Sequence, residues 1–257
     1  MSSDRRTDWT RRRRAAPHHL AIIMDGNRRW AAAHGLSTHD GHRAGARNLR
    51  SIAMGCADAG IKCLTVFAFS TENWRRPSIE VNLLFGLMRE TLFSELDELD
   101  QRGARLRLIG NKNRLPPDLQ ELVAHAEERT SGNSELALNI ALNYGGRWDI
   151  VQAARALSSA IQAGEIELRD IDEHTFSGFL ELGDLPAPDL CIRTGGEFRL
   201  SNFMLWDLAY SELYFSRRFW PEFTVEDLHN ALESYGSRQR RFGASGSGSS
   251  VRVGASS

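Results

Sequence analysis

His19-Leu20-Ala21-Ile22-Ile23-Met24-Asp25-Gly26-Asn27-Arg28-Arg29-Trp30 is the stretch that decides how this 257-residue chain folds. Leu20 to Met24 is an apolar run too short for a helix, which predicts a strand buried on both faces. It stops at Asp25-Gly26-Asn27, a turn signal. In open parallel α/β sheets, ligands bind beyond the carboxyl ends of the strands. A carboxylate, a carboxamide and two arginines at such an end suit a metal at Asp25 and a polyanion at Arg29. Taken alone, they would equally make a tight turn with solvated charges.

The pattern recurs twice. Leu64-Thr65-Val66-Phe67-Ala68-Phe69 reads as a second strand and runs into Ser70-Thr71-Glu72-Asn73-Trp74-Arg75-Arg76-Pro77. A helix cap accounts for Ser70 or Thr71 but not for the arginines. Leu190-Cys191-Ile192 ends in Arg193-Thr194-Gly195-Gly196-Glu197-Phe198-Arg199-Leu200-Ser201, whose arginines, glycines and serine suit a phosphate or another oxyanion. Further strands are predicted at 106–109, 136–142 and 213–215. Helices are predicted at 41–59, 79–99, 117–129, 148–163, 172–180 and 225–235. Alternating strands and helices predict an α/β fold, a mostly parallel central sheet of about six strands surrounded by helices. All three loaded ends then fall on one edge. Asp25 and Glu212 are the candidate Mg²⁺ ligands, since Mg²⁺ commonly bridges carboxylate and phosphate. The helix at 79–99 is apolar nearly all round in its first half, at Ile79, Val81, Leu83, Leu84, Phe85, Leu87 and Met88. Such a helix is expected to bury two sides, one on the sheet and one on a partner helix or an apolar cavity.

Composition narrows the class. The chain is 41% hydrophobic and 25% charged, ordinary for a globular protein. A net charge of −1 argues against a nucleic-acid partner. Cys56, Cys63 and Cys191 form no C-x-x-C pair. Neither a disulfide framework nor a zinc site is expected, only buried thiols in a reducing compartment. No run approaches the ~18 apolar residues of a membrane span, and no apolar leader is present; the expected location is cytoplasmic. Residues 1–17 form an arginine-rich polar arm expected to be disordered, with an attraction for anionic headgroups that would allow peripheral contact at the inner membrane face. Residues 18–243 are expected to form a single domain, and 244–257 a disordered Gly/Ser-rich tail. No G-x-G-x-x-G follows a strand and no G-x-x-x-x-G-K-[ST] occurs, which disfavours dinucleotide enzymes and P-loop NTPases.

Asp25-Gly26-Asn27-x-Arg29-Trp30-Ala31, Gly41-His42, Phe69-Ser70-Thr71-Glu72-Asn73-Trp74-x-Arg76-Pro77, Asn143-Tyr144-Gly145-Gly146-Arg147, Ile192-Arg193-Thr194-Gly195-Gly196-Glu197, Arg199-x-Ser201-Asn202-Phe203, Tyr210-x-Glu212 and Trp220-Pro221 together resemble the cis-prenyltransferase family. The resemblance runs from His19 to Gly243. It implies a homodimer with an apolar tunnel. The implied reaction condenses isopentenyl diphosphate with an allylic diphosphate, such as farnesyl diphosphate, into a long cis-polyprenyl diphosphate such as undecaprenyl diphosphate. By the same resemblance Asp25 is catalytic and holds Mg²⁺, with Glu212 as a second ligand from the partner subunit. Gly26, Asn27, Arg29 and His42 surround the allylic diphosphate, with Arg28 and Trp30 beside them. Asn73 assists proton removal, flanked by Ser70, Thr71, Glu72, Trp74 and Arg76. Arg193, Arg199, Leu200 and Ser201 hold the isopentenyl diphosphate. Ala68 is expected to point into the tunnel, and Arg241-Phe242-Gly243 resembles a tail that reaches across the dimer.

The chain departs from the family at Arg28, where glycine is usual, and at Thr38, where arginine is usual. Either Arg28 points to solvent and Thr38 weakens the site, or Arg28 supplies the missing charge. A short-chain or head-to-middle enzyme of the same fold is the alternative reading. A trans-prenyltransferase would carry D-D-x-x-D motifs, which are lacking here.

Overall fold

The computed structural model describes residues 16–238. Its elements are β1 (His19–Ile23), α1 (Asn27–Ala33), α2 (Thr38–Asp58), β2 (Cys63–Ser70), a 3₁₀ turn (Thr71–Arg75), α3 (Ser78–Gln101), β3 (Ala104–Ile109), α4 (Pro117–Arg129), β4 (Leu136–Tyr144), α5 (Gly146–Gln162), α6 (Glu173–Ser177), β5 (Leu190–Arg193), β6 (Glu212–Phe215) and α7 (Val225–Ser237). The six strands form one sheet in the order β3-β4-β2-β1-β5-β6, every pair parallel. This is the expected architecture. Arg241-Phe242-Gly243, nearly all of the arm and the Gly/Ser-rich tail lie outside the described residues.

β1 shows why the apolar run is unbroken. All five of its residues are buried. Leu20 and Ile22 pack into one core with Leu64, Ile192, Trp220 and Phe223. Ala21 and Ile23 pack into another with Tyr144, Cys191 and Phe203. Alternate side chains therefore meet opposite layers of helix and loop, as a parallel sheet requires. The free edge of β3 is closed by side chains. Leu106 N–H donates to Thr130 Oγ1, Leu108 N–H to Glu127 Oε1 and Gly110 N–H to Glu181 Oε2, which blunts an edge that could pair with another chain.

Asn27–Ala33 forms a further helix, and its entry residue Gly26 has φ 113° with no side-chain cap. Two expectations are corrected. α2 begins before Gly41, because Ser37 and Asp40 form a reciprocal capping box. Ile79 and Leu83 are 74% and 45% exposed, so α3 does not bury its whole first half. Its other side chains do divide as expected: Val81 and Phe85 pack into the core. Leu84, Leu87, Met88, Leu92 and Leu99 line a cavity of about 410 Å³ between α3, α2 and the sheet, with Ala68 in its wall.

At the amino end of β1, His19 is fully buried. Its Nδ1 sits 2.6 Å from the Pro186 carbonyl, so that nitrogen carries the proton; Nε2 accepts from Thr65 Oγ1 at 2.8 Å, which accepts from Asn139 Nδ2 at 3.1 Å. Burial, opposed by the Pro186 carbonyl, lowers the imidazole from 6.5 to about 4. Below 6.5 the unfolded chain takes up a proton that the folded chain refuses. The stabilisation is thus complete above 6.5 and is lost as pH falls toward 4, by about 3 kcal/mol. In urea unfolding measured from pH 7 to pH 4, the wild type is expected to lose stability more steeply than His19→Gln by about that amount; parallel curves would exclude His19 as the source.

Candidate active site

The site is built on a turn locked from two sides. The Asp25 N–H donates to Thr194 Oγ1 at 3.0 Å, and the Thr194 hydroxyl donates to the Asp25 carbonyl at 2.7 Å. The Trp220 N–H donates to that same carbonyl. Gly26 is obligatory here: at φ 113°, an added Cβ would lie 2.8 Å from the Phe219 ring. Asn27, next along, presses its carboxamide against Gly45, where a Cβ would come within 2.3 Å of Oδ1. Thr194 has no counterpart among the site residues expected from sequence, since a hydroxyl bonded to backbone leaves no spacing signal.

The Asp25 carboxylate lies between two arginines. Arg193 Nη2 donates to Oδ2 at 2.9 Å, and Arg29 Nη2 is 3.1 Å from Oδ1. The Arg193 side chain is only 5% exposed. Its Nη1 donates to Ser201 Oγ at 2.7 Å and to the Arg199 carbonyl. Glu197 then bridges outward, its Oε2 accepting from Arg199 Nη1 at 2.5 Å and its Oε1 lying 3.4 Å from Arg29 Nη1. Ser201, Asn202 and Met204 have φ of 52°, 66° and 40°, a conformation that costs non-glycine residues of order 1–3 kcal/mol each. Asn202 holds the loop in that shape. Its Oδ1 accepts from Arg147 N–H, its carbonyl from Gly146 N–H, and its Nδ2 donates to Glu72 Oε1 at 2.9 Å. Glu72 thereby ties the end of β2 to the end of β5. Leu200 packs beneath, against the core that contains Phe203.

In the β2 loop, Ser70 N–H donates to Asn73 Oδ1, which fixes the Asn73 carboxamide at the strand end. The Thr71 hydroxyl donates to Glu72 Oε2. Trp74 donates its indole N–H to Asn143, meets Phe69 edge-on and Phe85 at a tilt, and lies under the Arg114 guanidinium. Arg76 Nη1 donates to Glu80 Oε1 at 3.2 Å. His42 faces the same carboxylate at 3.7 Å; burial, then the Arg76 charge, lowers it to about 4, so it is neutral at pH 7. Arg28 lies 3.8 Å from Glu80.

Two predicted residues are placed apart. Trp30 spends its indole N–H on Glu222, with its ring against His34. Glu212 pairs in register with Leu190, and Leu190 with Leu20. It therefore lies at the amino ends of the strands, roughly 15 Å along the sheet from Asp25, and is held by Arg238 at 2.7 Å. Within one chain the two carboxylates do not meet. Among the described residues no group of three or more His, Cys, Asp or Glu side chains is placed to hold a metal.

Burial exposes what the site lacks. Among the described residues, Asn27 Oδ1, His42 Nε2 and Arg193 Nε are buried polar atoms with no hydrogen bond. Native structures rarely leave such atoms unpaired without a reason. Here all three belong to the strand-end cluster, and Asn27 and His42 also line the apolar cavity.

Fold and site thus define an α/β protein that gathers cationic and polar groups over the strand ends, beside an apolar cavity. Residues 23–243 match the family described as putative undecaprenyl diphosphate synthase. A farnesyl-diphosphate-specific ditrans,polycis-undecaprenyl-diphosphate synthase of Pseudomonas aeruginosa is 50% identical over 234 residues, 91% of this chain and 93% of that protein. The Vibrio cholerae synthase of the same name is 48% identical, covering 90% and 92%. Among solved structures, lavandulyl diphosphate synthase from Lavandula x intermedia, in complex with dimethylallyl diphosphate, superposes with a TM-score of 0.87 at 40% identity, covering 90% of this chain and 99% of that one. A probable undecaprenyl diphosphate synthase from Campylobacter jejuni gives 0.74 at 33%, covering 88% and 98%. The chain belongs to the cis-prenyltransferase family and is a prenyltransferase.

Thr194→Val removes the hydroxyl that locks Asp25 while keeping the side-chain shape. It is expected to lower stability by about 1–3 kcal/mol, leaving the Asp25 N–H and carbonyl underbonded, and to reduce turnover more than tenfold. Urea denaturation and a condensation assay check the pair of effects; a fully active variant would show that the lock is dispensable.

Proposed function

We propose that this enzyme condenses farnesyl diphosphate with successive isopentenyl diphosphates to give a long cis-polyprenyl diphosphate of the undecaprenyl type. The observation that carries the reading is the set of unpaired buried polar atoms, gathered with Arg28, Arg29, Arg76, Arg193 and Arg199 beside an apolar cavity. Such a site has one end for phosphate oxygens and the other for hydrocarbon. The names of the curated relatives support farnesyl diphosphate as primer. The Lavandula neighbour makes head-to-middle coupling of two dimethylallyl units the second reading.

In the proposed assignment Gly26, Asn27, Arg29 and His42 receive the allylic diphosphate, with Arg28 and Arg76 at its margin. Arg193, Arg199 and Ser201 receive isopentenyl diphosphate. As the allylic C–O bond breaks, negative charge grows on the departing diphosphate, and fixed cationic donors stabilise that charge. Asp25 suits Mg²⁺, which is typically held by one or two carboxylates completed by substrate phosphates; the ion would supply Lewis-acid stabilisation of the leaving group. In a homodimer the partner's Glu212 is the candidate second ligand. Loss of a proton from the isopentenyl unit forms the new double bond, and we assign Asn73 to that step. We read residues 18–243 as one catalytic domain acting in the cytoplasm, with peripheral contact at the membrane surface. No helix among the described residues is long and apolar enough to cross a membrane.

Radiolabelled isopentenyl diphosphate, supplied with farnesyl or dimethylallyl diphosphate, tests the reading through product length. A long product primed by farnesyl diphosphate supports it; a ten-carbon branched product from dimethylallyl diphosphate alone would replace it with the head-to-middle reaction. Asp25→Asn keeps a hydrogen-bond acceptor for the buried Arg193 and is expected to cut kcat by about 10²–10³ with an unchanged circular-dichroism spectrum. Wild-type rates in that variant would remove Asp25 from the chemistry. Ala68→Leu narrows the cavity wall and is expected to shorten the product; an unchanged chain-length distribution would mean that the growing chain does not pass Ala68.

A further inference from the structure

Glu80 sits in the first turn of α3 and faces groups from three other parts of the chain. Its Oε1 lies 3.2 Å from Arg76 Nη1 and 3.7 Å from His42 Nε2, and its Oε2 lies 3.8 Å from Arg28 Nη1. Arg28 comes from α1, His42 from α2, and Arg76 from the end of the 3₁₀ turn. The Glu80 side chain is only 13% exposed, whereas Arg28 is 57% exposed. A pocket of about 240 Å³ opens beside them, lined by Thr38, His42, Pro77, Glu80 and Leu84.

The charges do not balance. Two guanidiniums and a neutral imidazole share one carboxylate, which leaves the group with an excess positive charge and an unbonded His42 Nε2. Arg76 is pushed downward by burial first and by the nearby Arg28 charge in addition, while Glu80 opposes both. Without a carboxylate between them the two guanidiniums would repel. The more exposed one, Arg28, would then turn out into water.

We propose that Glu80 is a positioning residue for the allylic diphosphate, its two oxygens holding Arg28 and Arg76 beside His42, so that Arg28 is a phosphate ligand supplied by α1. This rests on the reading of the neighbouring site as an allylic diphosphate site. The proposal predicts a sign opposite to that of charge counting. If Glu80 were only a negative charge near an anion site, its removal would tighten binding. If it positions the cations, its removal weakens binding.

Binding of farnesyl thiodiphosphate, a slowly reacting allylic analogue, is measured by calorimetry for the wild type, Glu80→Gln, Arg28→Gln, the double variant and Glu80→Asp. Steady-state kinetics run alongside, and thermal melting confirms that each variant is folded. Glu80→Gln and Arg28→Gln are each expected to weaken binding about tenfold. The double variant should be little worse than either single, because coupled residues do not add. Glu80→Asp should recover part of the loss, and the KM for isopentenyl diphosphate should stay within twofold. Unchanged or tighter binding by Glu80→Gln overturns the proposal, as does an inert Arg28→Gln or a double variant whose losses multiply. If the wild type itself does not bind the analogue, the allylic-site reading fails and the proposal falls with it, a result separate from any variant effect.

Discussion

The parallel register of β2, β1 and β5 is the constraint on which everything else rests. Ile23 pairs with Phe67 on one side and Arg193 on the other. Asp25, two residues beyond the strand, is thereby set beside the Arg193 guanidinium, and the β2 loop faces the β5 loop closely enough for Glu72 to reach Asn202. A slip of one residue in β1 would turn Leu20 and Ile22 from one core to the other and carry Asp25 away from Thr194. Burial on both faces makes that slip prohibitively costly, so the hydrophobic core sets the geometry of the polar site.

Most of this order was legible in the sequence, for a physical reason. Strands buried on two faces must be short apolar runs, and ends that bind anions must carry arginines, hydroxyls and amides. Asp25, Arg193, Arg199 and Ser201 could be read that way, and the structure brings them together. What could not be read depends on partners distant in the chain. Thr194 acts through backbone atoms 169 positions away, and Glu80 and Glu197 acquire meaning only once several arginines converge on them. Ile79 and Leu83 misled because apolar character signals burial only on average.

The site also shows how arginines are kept ready in a protein of nearly neutral charge. Each is paired with an acid: Asp25 with Arg29 and Arg193, Glu197 with Arg29 and Arg199, Glu80 with Arg28 and Arg76. The pairing limits mutual repulsion and orders the side chains before a ligand arrives, so less ordering remains to be done on binding. The neutral, half-buried His42 adds a donor or acceptor without adding another charge to the crowd.

The unpaired buried atoms of Asn27, His42 and Arg193 bear on how the protein can change over time. A buried polar atom left without a partner costs about 1–3 kcal/mol, a large share of a typical margin of stability. Selection for heat tolerance alone would favour substitutions that give these atoms internal partners or replace them with hydrocarbon. Descendants that kept the fold while losing the chemistry should therefore be hardier than their ancestor, and their sequences should differ first at these three positions.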